Sequence, residues 1–168
     1  SFLKEWVLVD LVPESRIIAA SDELLAFAAD LGADITEAKA EIASVAASSM
    51  RKMSEMVKAG QANTVWGHDY ASGLTHSLRR GARWVTSNPC KIQLFKKDFP
   101  AYYQELIAEI KRENPGASTA IMAAQVFTKI CAISARALYP IFEATDKQYG
   151  FVCMQVDPRN IRDTDAMV

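Results

Sequence analysis

Apolar residues recur every three or four positions in the N-terminal part of the chain, which is the spacing of one face of an α-helix. The pattern predicts a short amphipathic helix over residues 21–31, with Gly32 in position to end it. A longer helix is predicted over residues 36–59, with Gly60 as its stop. We therefore expect residues 1–60 to form an N-terminal helical extension without candidate chemistry.

After Gly60 the pattern changes to short β-prone segments that alternate with helical ones. Strands are predicted at residues 63–68, 82–87 and 151–156. Helices are predicted at about 70–80, 98–114, 118–138 and 141–149, and a last one begins at about 163. Strands separated by helices favour parallel pairing. Residues 61–168 are thus predicted to be the first part of a larger α/β domain, with about three strands.

Composition narrows the class of protein and of partner. The chain has 168 residues, half of them apolar, and its 19 basic and 20 acidic residues nearly cancel, as in a soluble globular domain. No block of like charge indicates a nucleic acid or a membrane surface as partner. Small anionic molecules remain possible ligands, since such a site needs only two or three well-placed donors.

The cysteines and histidines bear on location and on metals. Cys90, Cys131 and Cys153 are odd in number, widely spaced and set among apolar residues, which favours reduced thiols in the cytoplasm. With two histidines and no CxxC pair, no metal site is expected. Lys4 and Glu5 interrupt the first apolar stretch, so no signal peptide is expected, and no apolar run approaches the roughly 18 residues of a membrane span.

Polar residues follow the predicted strands at positions that share a face. Strand alternation places Asp69 at the end of the first, Thr86 and Asn88 on one side of the second, and Gln155 and Asp157 on one side of the third. Carboxyl ends of parallel strands meet at one edge, so an acid and two amides would converge on one pocket.

Structural roles compete for the same residues. Asp69 could simply cap the next helix, and Asn88, which precedes Pro89, could serve only a turn. Asp157 before Pro158 could only position the following loop.

The segment Trp-Val-Thr-Ser-Asn-Pro-Cys-Lys-Ile at residues 84–92 resembles the signature of the transaldolase family around its Thr-Ser/Thr-Asn-Pro core. Val156-Asp157, followed by Asp-Thr-Asp-Ala at residues 163–166, is similar to the family's next landmark. The separation of Asp69 and Asn88 is also close to that of the family's first-strand aspartate and its asparagine. The resemblance covers residues 65–168.

The resemblance implies the N-terminal portion of a (β/α)8 TIM barrel, preceded by two extra helices. It also implies transfer of a dihydroxyacetone unit between sugar phosphates through a lysine Schiff base, with no metal or organic cofactor. Asp69 would handle the proton of the sugar hydroxyl. Asn88, with Thr86 and Ser87 beside it, would bind the dihydroxyacetone portion.

The chain departs from the family at several positions. The third-strand glutamate that assists proton transfer through a water is Gln155 here, and an amide cannot take a proton. Related fructose 6-phosphate aldolases carry glutamine at this position. Trp84 and Lys91 are also atypical of the signature. The family's imine-forming lysine and phosphate-binding residues come later than the third strand, so they are expected outside this sequence.

Three functions therefore remain open. The first is a transaldolase-like enzyme acting on sugar phosphates, active when its barrel is complete and inactive in this segment alone. The second is an aldolase that uses Gln155 and releases dihydroxyacetone. The third is a non-catalytic interaction module, in which a truncated barrel pairs with itself or with a partner chain. A homo-oligomer in the cytoplasm is expected.

Overall fold

Most of the chain is helical. The computed structural model describes residues 12–70 and 74–167. The α-helices are α1 Glu14–Asp30, α2 Thr36–Ser44, α3 Ser49–Lys58, α4 Leu74–Arg80, α5 Lys91–Asp98, α6 Pro100–Glu113, α7 Thr119–Ala144 and α8 Thr164–Met167. The strands are β1 Val85–Ser87 and β2 Val152–Met154, and 3-10 turns lie at Val45–Ala47 and Pro158–Asn160.

The N-terminal helices differ in extent from the sequence prediction. Helix α1 starts at Glu14, well before the predicted start at residue 21, because Ile17 and Ala20 continue its buried stripe. The predicted helix over residues 36–59 is interrupted. A 3-10 turn separates α2 from α3, and Ser48 begins α3 by accepting a hydrogen bond from the backbone N–H of Arg51.

The expected barrel portion is wrong. Within the described residues the sheet has two strands of three residues each, paired in parallel with Val85 opposite Val152, and one isolated bridge between His68 and Val85. The predicted first strand contributes only that bridge. Its Gly67 lies under the Trp84 ring, where an added Cβ would meet ring atoms at 2.7 Å. Helices account for most of the remaining structure, so the architecture is mainly α with a small parallel sheet.

Two hydrophobic clusters form the core. The first joins α1, α4, β1 and α7, and its most deeply buried members are Ile17, Leu74, Leu78, Val85, Leu138 and Ile141. The second joins α5, α6 and α7 around Phe95, Phe99, Leu106, Ile110, Val126 and Ile130. Ile92 and Ile133 pack against both clusters. Helix α7 is therefore the element that connects the two halves of the core.

Helix α7 runs past the point at which the sequence predicts an end or a kink. Pro140 lies inside it, and the helix continues to Ala144 because Ile141 is buried in the core. The turn that follows requires Gly150, whose φ is +85° and whose added Cβ would lie 2.5 Å from the backbone nitrogen of Phe142. Gly150 N–H donates to the carbonyl of Arg83 at 2.8 Å and so starts the approach of β2 to β1.

By length and composition, α7 is long and apolar enough to cross a membrane, and it is the one helix of the described residues that meets both criteria. A buried helix in the core of a soluble protein meets them too. Eight residues of α7 are buried, among them Phe127, Ile130 and Leu138. These buried residues place α7 in the core. Its length and composition alone do not assign it to a membrane.

Candidate functional site

Asp69 and Thr86 meet where two parallel segments end. Asp69 follows the bridge residue His68, and the backbone N–H of Thr86 in β1 donates to the His68 carbonyl at 2.9 Å. The Thr86 hydroxyl donates to Asp69 Oδ1 at 3.1 Å. The predicted face shared by these two residues is therefore present in the structure, even though the strands are short.

Lys91 adds a third member that the sequence analysis does not assign to the site. Its ammonium lies 3.3 Å from Asp69 Oδ2. Lys91 is the first residue of α5, and its backbone N–H donates to the carbonyl of Asn88 at 3.0 Å. We call Asp69, Thr86 and Lys91 the Asp69 cluster.

The Asp69 carboxylate is both charged and accessible. The hydrogen bonds from Thr86 and Lys91, together with the positive charge of Lys91, hold the pKa of Asp69 below its usual value. The Asp69 side chain is 72% exposed, whereas the Lys91 side chain is 26% exposed. The cluster therefore presents an ionised carboxylate to solvent near neutral pH.

A histidine pair lies directly behind the cluster. His68 Nδ1 is 3.0 Å from the Ser77 hydroxyl of α4, and the His68 and His76 rings are 6.4 Å apart in an edge-to-face arrangement. Burial, and to a smaller extent charge repulsion from His76, lowers the pKa of His68 to about 4. His68 is therefore neutral near pH 7, and its bridge to Val85 holds the segment from which Asp69 projects.

Asn88 and Ser87 do not join the Asp69 cluster. The Asn88 side-chain oxygen accepts from the backbone N–H of Cys90 at 3.1 Å, which is the turn role that competed with substrate binding. Ser87 is 3% exposed and lies on the face opposite to Thr86, beside Cys131. Burial raises the pKa of that Cys131 thiol to about 11, so it stays protonated.

The parallel register sets Thr86 opposite Cys153, so Gln155, two residues further along, belongs to the face of the sheet that carries Thr86. Gln155 is exposed just beyond β2, and no hydrogen bond of the described residues links it to Asp69. Asp157 accepts from the backbone N–H of Arg159 at 2.9 Å and pairs with its guanidinium. These hydrogen bonds lower the pKa of Asp157 to about 2. Asp157 thus has the loop-positioning role considered in the sequence analysis.

No protein-family model, curated protein or solved structure matches this chain.

The Asp69 cluster has a defined chemical capacity. An ionised carboxylate that is oriented by a hydroxyl and an ammonium can accept a proton from a substrate hydroxyl. The same three groups can hydrogen-bond a polyol, and the Lys91 ammonium adds attraction for an anionic substrate. No group of three or more histidine, cysteine, aspartate or glutamate side chains suited to a metal ion occurs in the part of the chain that the structure describes.

Proposed function

We propose that this protein is a transaldolase-type enzyme that transfers a dihydroxyacetone unit between ketose and aldose phosphates through a lysine imine. The observation that carries the proposal is the Asp69 carboxylate, exposed at the end of a parallel segment and held by Thr86 and Lys91. The Thr-Ser-Asn-Pro motif that contains Thr86 supports the same assignment.

In the proposed reaction Asp69 is the base for carbon–carbon cleavage. It takes the proton from the substrate hydroxyl whose carbon becomes the aldehyde. The electron pair of the breaking bond forms the carbon–carbon double bond of an enamine, and the π pair of the iminium moves to its nitrogen. In the reverse sequence the enamine carbon adds to the acceptor aldehyde, and Asp69 returns the proton to the oxygen of that aldehyde. The resemblance assigns the imine-forming lysine and the phosphate-binding groups to residues outside this sequence. No metal or organic cofactor is required.

Asn88 contributes binding in this scheme. Its side-chain oxygen is used by the turn at Cys90, which leaves the amide NH₂ group to donate to an oxygen of the dihydroxyacetone portion. Thr86 orients Asp69 and can also contact the substrate. Ser87, which is buried on the opposite face, is assigned no direct role in the proposal.

Gln155 favours a second candidate, an aldolase of the fructose 6-phosphate type. An amide at the end of β2 can orient a water but cannot take its proton, unlike the glutamate of transaldolases. Such an enzyme would release dihydroxyacetone instead of transferring it. Catalysis would still use Asp69 as the base.

The exposed side of β2 favours a third candidate, an interaction module. Large apolar residues are exposed just before β2 (Phe151), at its end (Met154) and in the segment that follows (Val156 and Ile161). Within the described residues β2 has one strand neighbour, so its other edge can pair with a further chain. The same surface supports the proposal of a homo-oligomer.

One kinetic experiment separates the three candidates. The protein is expressed from its complete gene and supplied with fructose 6-phosphate, with and without erythrose 4-phosphate. A rate that depends on the acceptor supports the transaldolase, and release of dihydroxyacetone without acceptor supports the aldolase. Absence of turnover, together with no protein–sugar adduct after borohydride reduction, would reject both enzymes and support the interaction module. The same assay compares Asp69→Asn with Asp157→Asn, which is its matched control.

A further inference from the structure

Helix α5 contacts the Asp69 segment at both of its ends. At its first residue, the Lys91 ammonium pairs with Asp69 Oδ2 at 3.3 Å. At its last residue, Asp98 Oδ2 accepts from the Tyr70 hydroxyl at 3.0 Å. Two contacts to consecutive residues fix the position of α5 along this segment, and they keep the ammonium of Lys91 beside the carboxylate.

Both oxygens of Asp69 are engaged, each by a different element. Oδ1 accepts from Thr86 in β1, and Oδ2 faces Lys91 of α5. Two donors on separate elements set the rotation of the carboxylate plane as well as its position. A charge pair this exposed adds little to the free energy of unfolding. We therefore look for its effect on the charge and orientation of the Asp69 carboxylate.

We propose that Lys91 is a positioning residue for Asp69: its ammonium holds Oδ2 and so orients the carboxylate, and the lone pair of Oδ1 that Thr86 does not use is left to accept the substrate proton. Its effect on catalysis rests on the proposed function, whereas its effect on the ionisation of Asp69 does not. The sequence motif alone does not assign this role, since Lys91 is one of the residues that depart from the transaldolase signature. The lowered pKa of Asp69 agrees with the proposal.

The direct test is a titration of Asp69. The side-chain carboxyl carbon is followed by NMR in wild type, in Lys91→Met and in Lys91→Arg, with signals assigned through Asp69→Asn. Lys97→Met is the matched control, since Lys97 is a lysine of the same helix near its other end. We expect the Asp69 midpoint to rise in Lys91→Met and to stay at the wild-type value in Lys91→Arg and Lys97→Met. An Asp69 midpoint that is unchanged in Lys91→Met would overturn the proposal.

A pH–rate profile separates this inference from the proposed function. If the complete protein turns over sugar phosphates, the acidic limb of kcat/KM moves to higher pH in Lys91→Met and returns in Lys91→Arg. A shifted NMR midpoint in a protein without turnover would reject the transaldolase and aldolase while supporting the role of Lys91. A pH–rate profile that is unchanged in Lys91→Met would overturn the catalytic part of the inference.

Discussion

Two regions of this molecule contain cation–carboxylate pairs, but they use them differently. Between the N-terminal helices, Arg79 of α4 donates from Nε to the fully buried hydroxyl of Ser21 at 2.8 Å and pairs with Asp22 of α1. Arg51 of α3 donates to Glu14 at 2.8 Å and to the Arg79 carbonyl at 2.9 Å. At the end of β1, Asp69 has two donors and is otherwise open to solvent.

The exposure of the charged group distinguishes the two regions. The Arg79 side chain is 17% exposed and its hydrogen bonds join α4 to α1, so its loss would remove a link between these helices and one of the two hydrogen bonds of the buried Ser21 hydroxyl. The Asp69 side chain is 72% exposed, so its loss would remove a reactive group with little effect on packing. We therefore expect the first region to govern stability and the second to govern activity.

The largest effect expected is on catalysis, from Asp69→Asn. The amide keeps the shape and the hydrogen bond from Thr86 but cannot accept a proton, so kcat/KM should fall by about a thousandfold. The melting temperature should stay within about 2 °C of wild type. Steady-state kinetics on the complete protein, alongside Asp157→Asn, measures the effect. Equal activity of the two variants would contradict the role of Asp69.

The next effect is on stability, from Arg79→Met. Methionine keeps the apolar part of the side chain but removes the donors to Ser21 and Asp22, which should cost about 2 kcal/mol of unfolding free energy. Urea denaturation measures the difference. Arg159→Met is the control, since Arg159 is 73% exposed and its ion pair among the described residues lies within its own loop, and its unfolding midpoint should be unchanged. Equal losses in both variants would remove the contrast between buried and exposed pairs.

A smaller effect is expected from Thr86→Val. Valine retains the branched shape in β1 but cannot donate to Asp69 Oδ1, so kcat/KM should fall by about tenfold. The Asp69 pKa should rise, because the first of the interactions that lower it is lost. Ser87→Ala changes the neighbouring hydroxyl on the opposite face and should leave kcat/KM near wild type. A larger loss in Ser87→Ala than in Thr86→Val would reverse the assignment of the faces.

A fourth effect is on the pH dependence of stability and concerns His68. Because its pKa is lowered from the ordinary 6.5 to about 4, the unfolded chain binds more protons than the folded protein between these pH values. Stability therefore falls as the pH drops from about 6.5 to about 4, and His68 adds no further loss below that. In His68→Gln the drop in urea midpoint between pH 7 and pH 5 should be smaller. An identical drop in both proteins would contradict this account.

The sequence predicts the relation between Asp69 and Thr86 better than it predicts the architecture. Alternation within a strand depends only on local backbone geometry, so it places Thr86 toward Asp69 even in a strand of three residues. How far a strand extends depends on the neighbours that pair with it. Residues 63–68 find one bridge to Val85, and the expected barrel portion is therefore absent.

Lys91 is missed because α5 is missed. No helix is predicted between the strand at residues 82–87 and the helix that begins at about residue 98, although Ile92, Phe95 and Phe99 recur at the spacing of a buried helical face. Recognising that helix would still leave the partner of Lys91 unknown. The pairing with Asp69 depends on the packing of α5 against the segment at Asp69 and Tyr70, which is a tertiary contact.

The most direct test of the central claim is an amide NMR titration, with fructose 6-phosphate, of the protein expressed from its complete gene. We expect the signals of residues 68–69 and 86–91 to shift in a saturable way, and those near Ser21, Arg51 and Arg79 to remain unchanged. Asp69→Asn should weaken the response, and Asp157→Asn should not. Shifts confined to the N-terminal helices, or none at concentrations that saturate a known transaldolase, would contradict the assignment of a sugar-phosphate site to the Asp69 cluster.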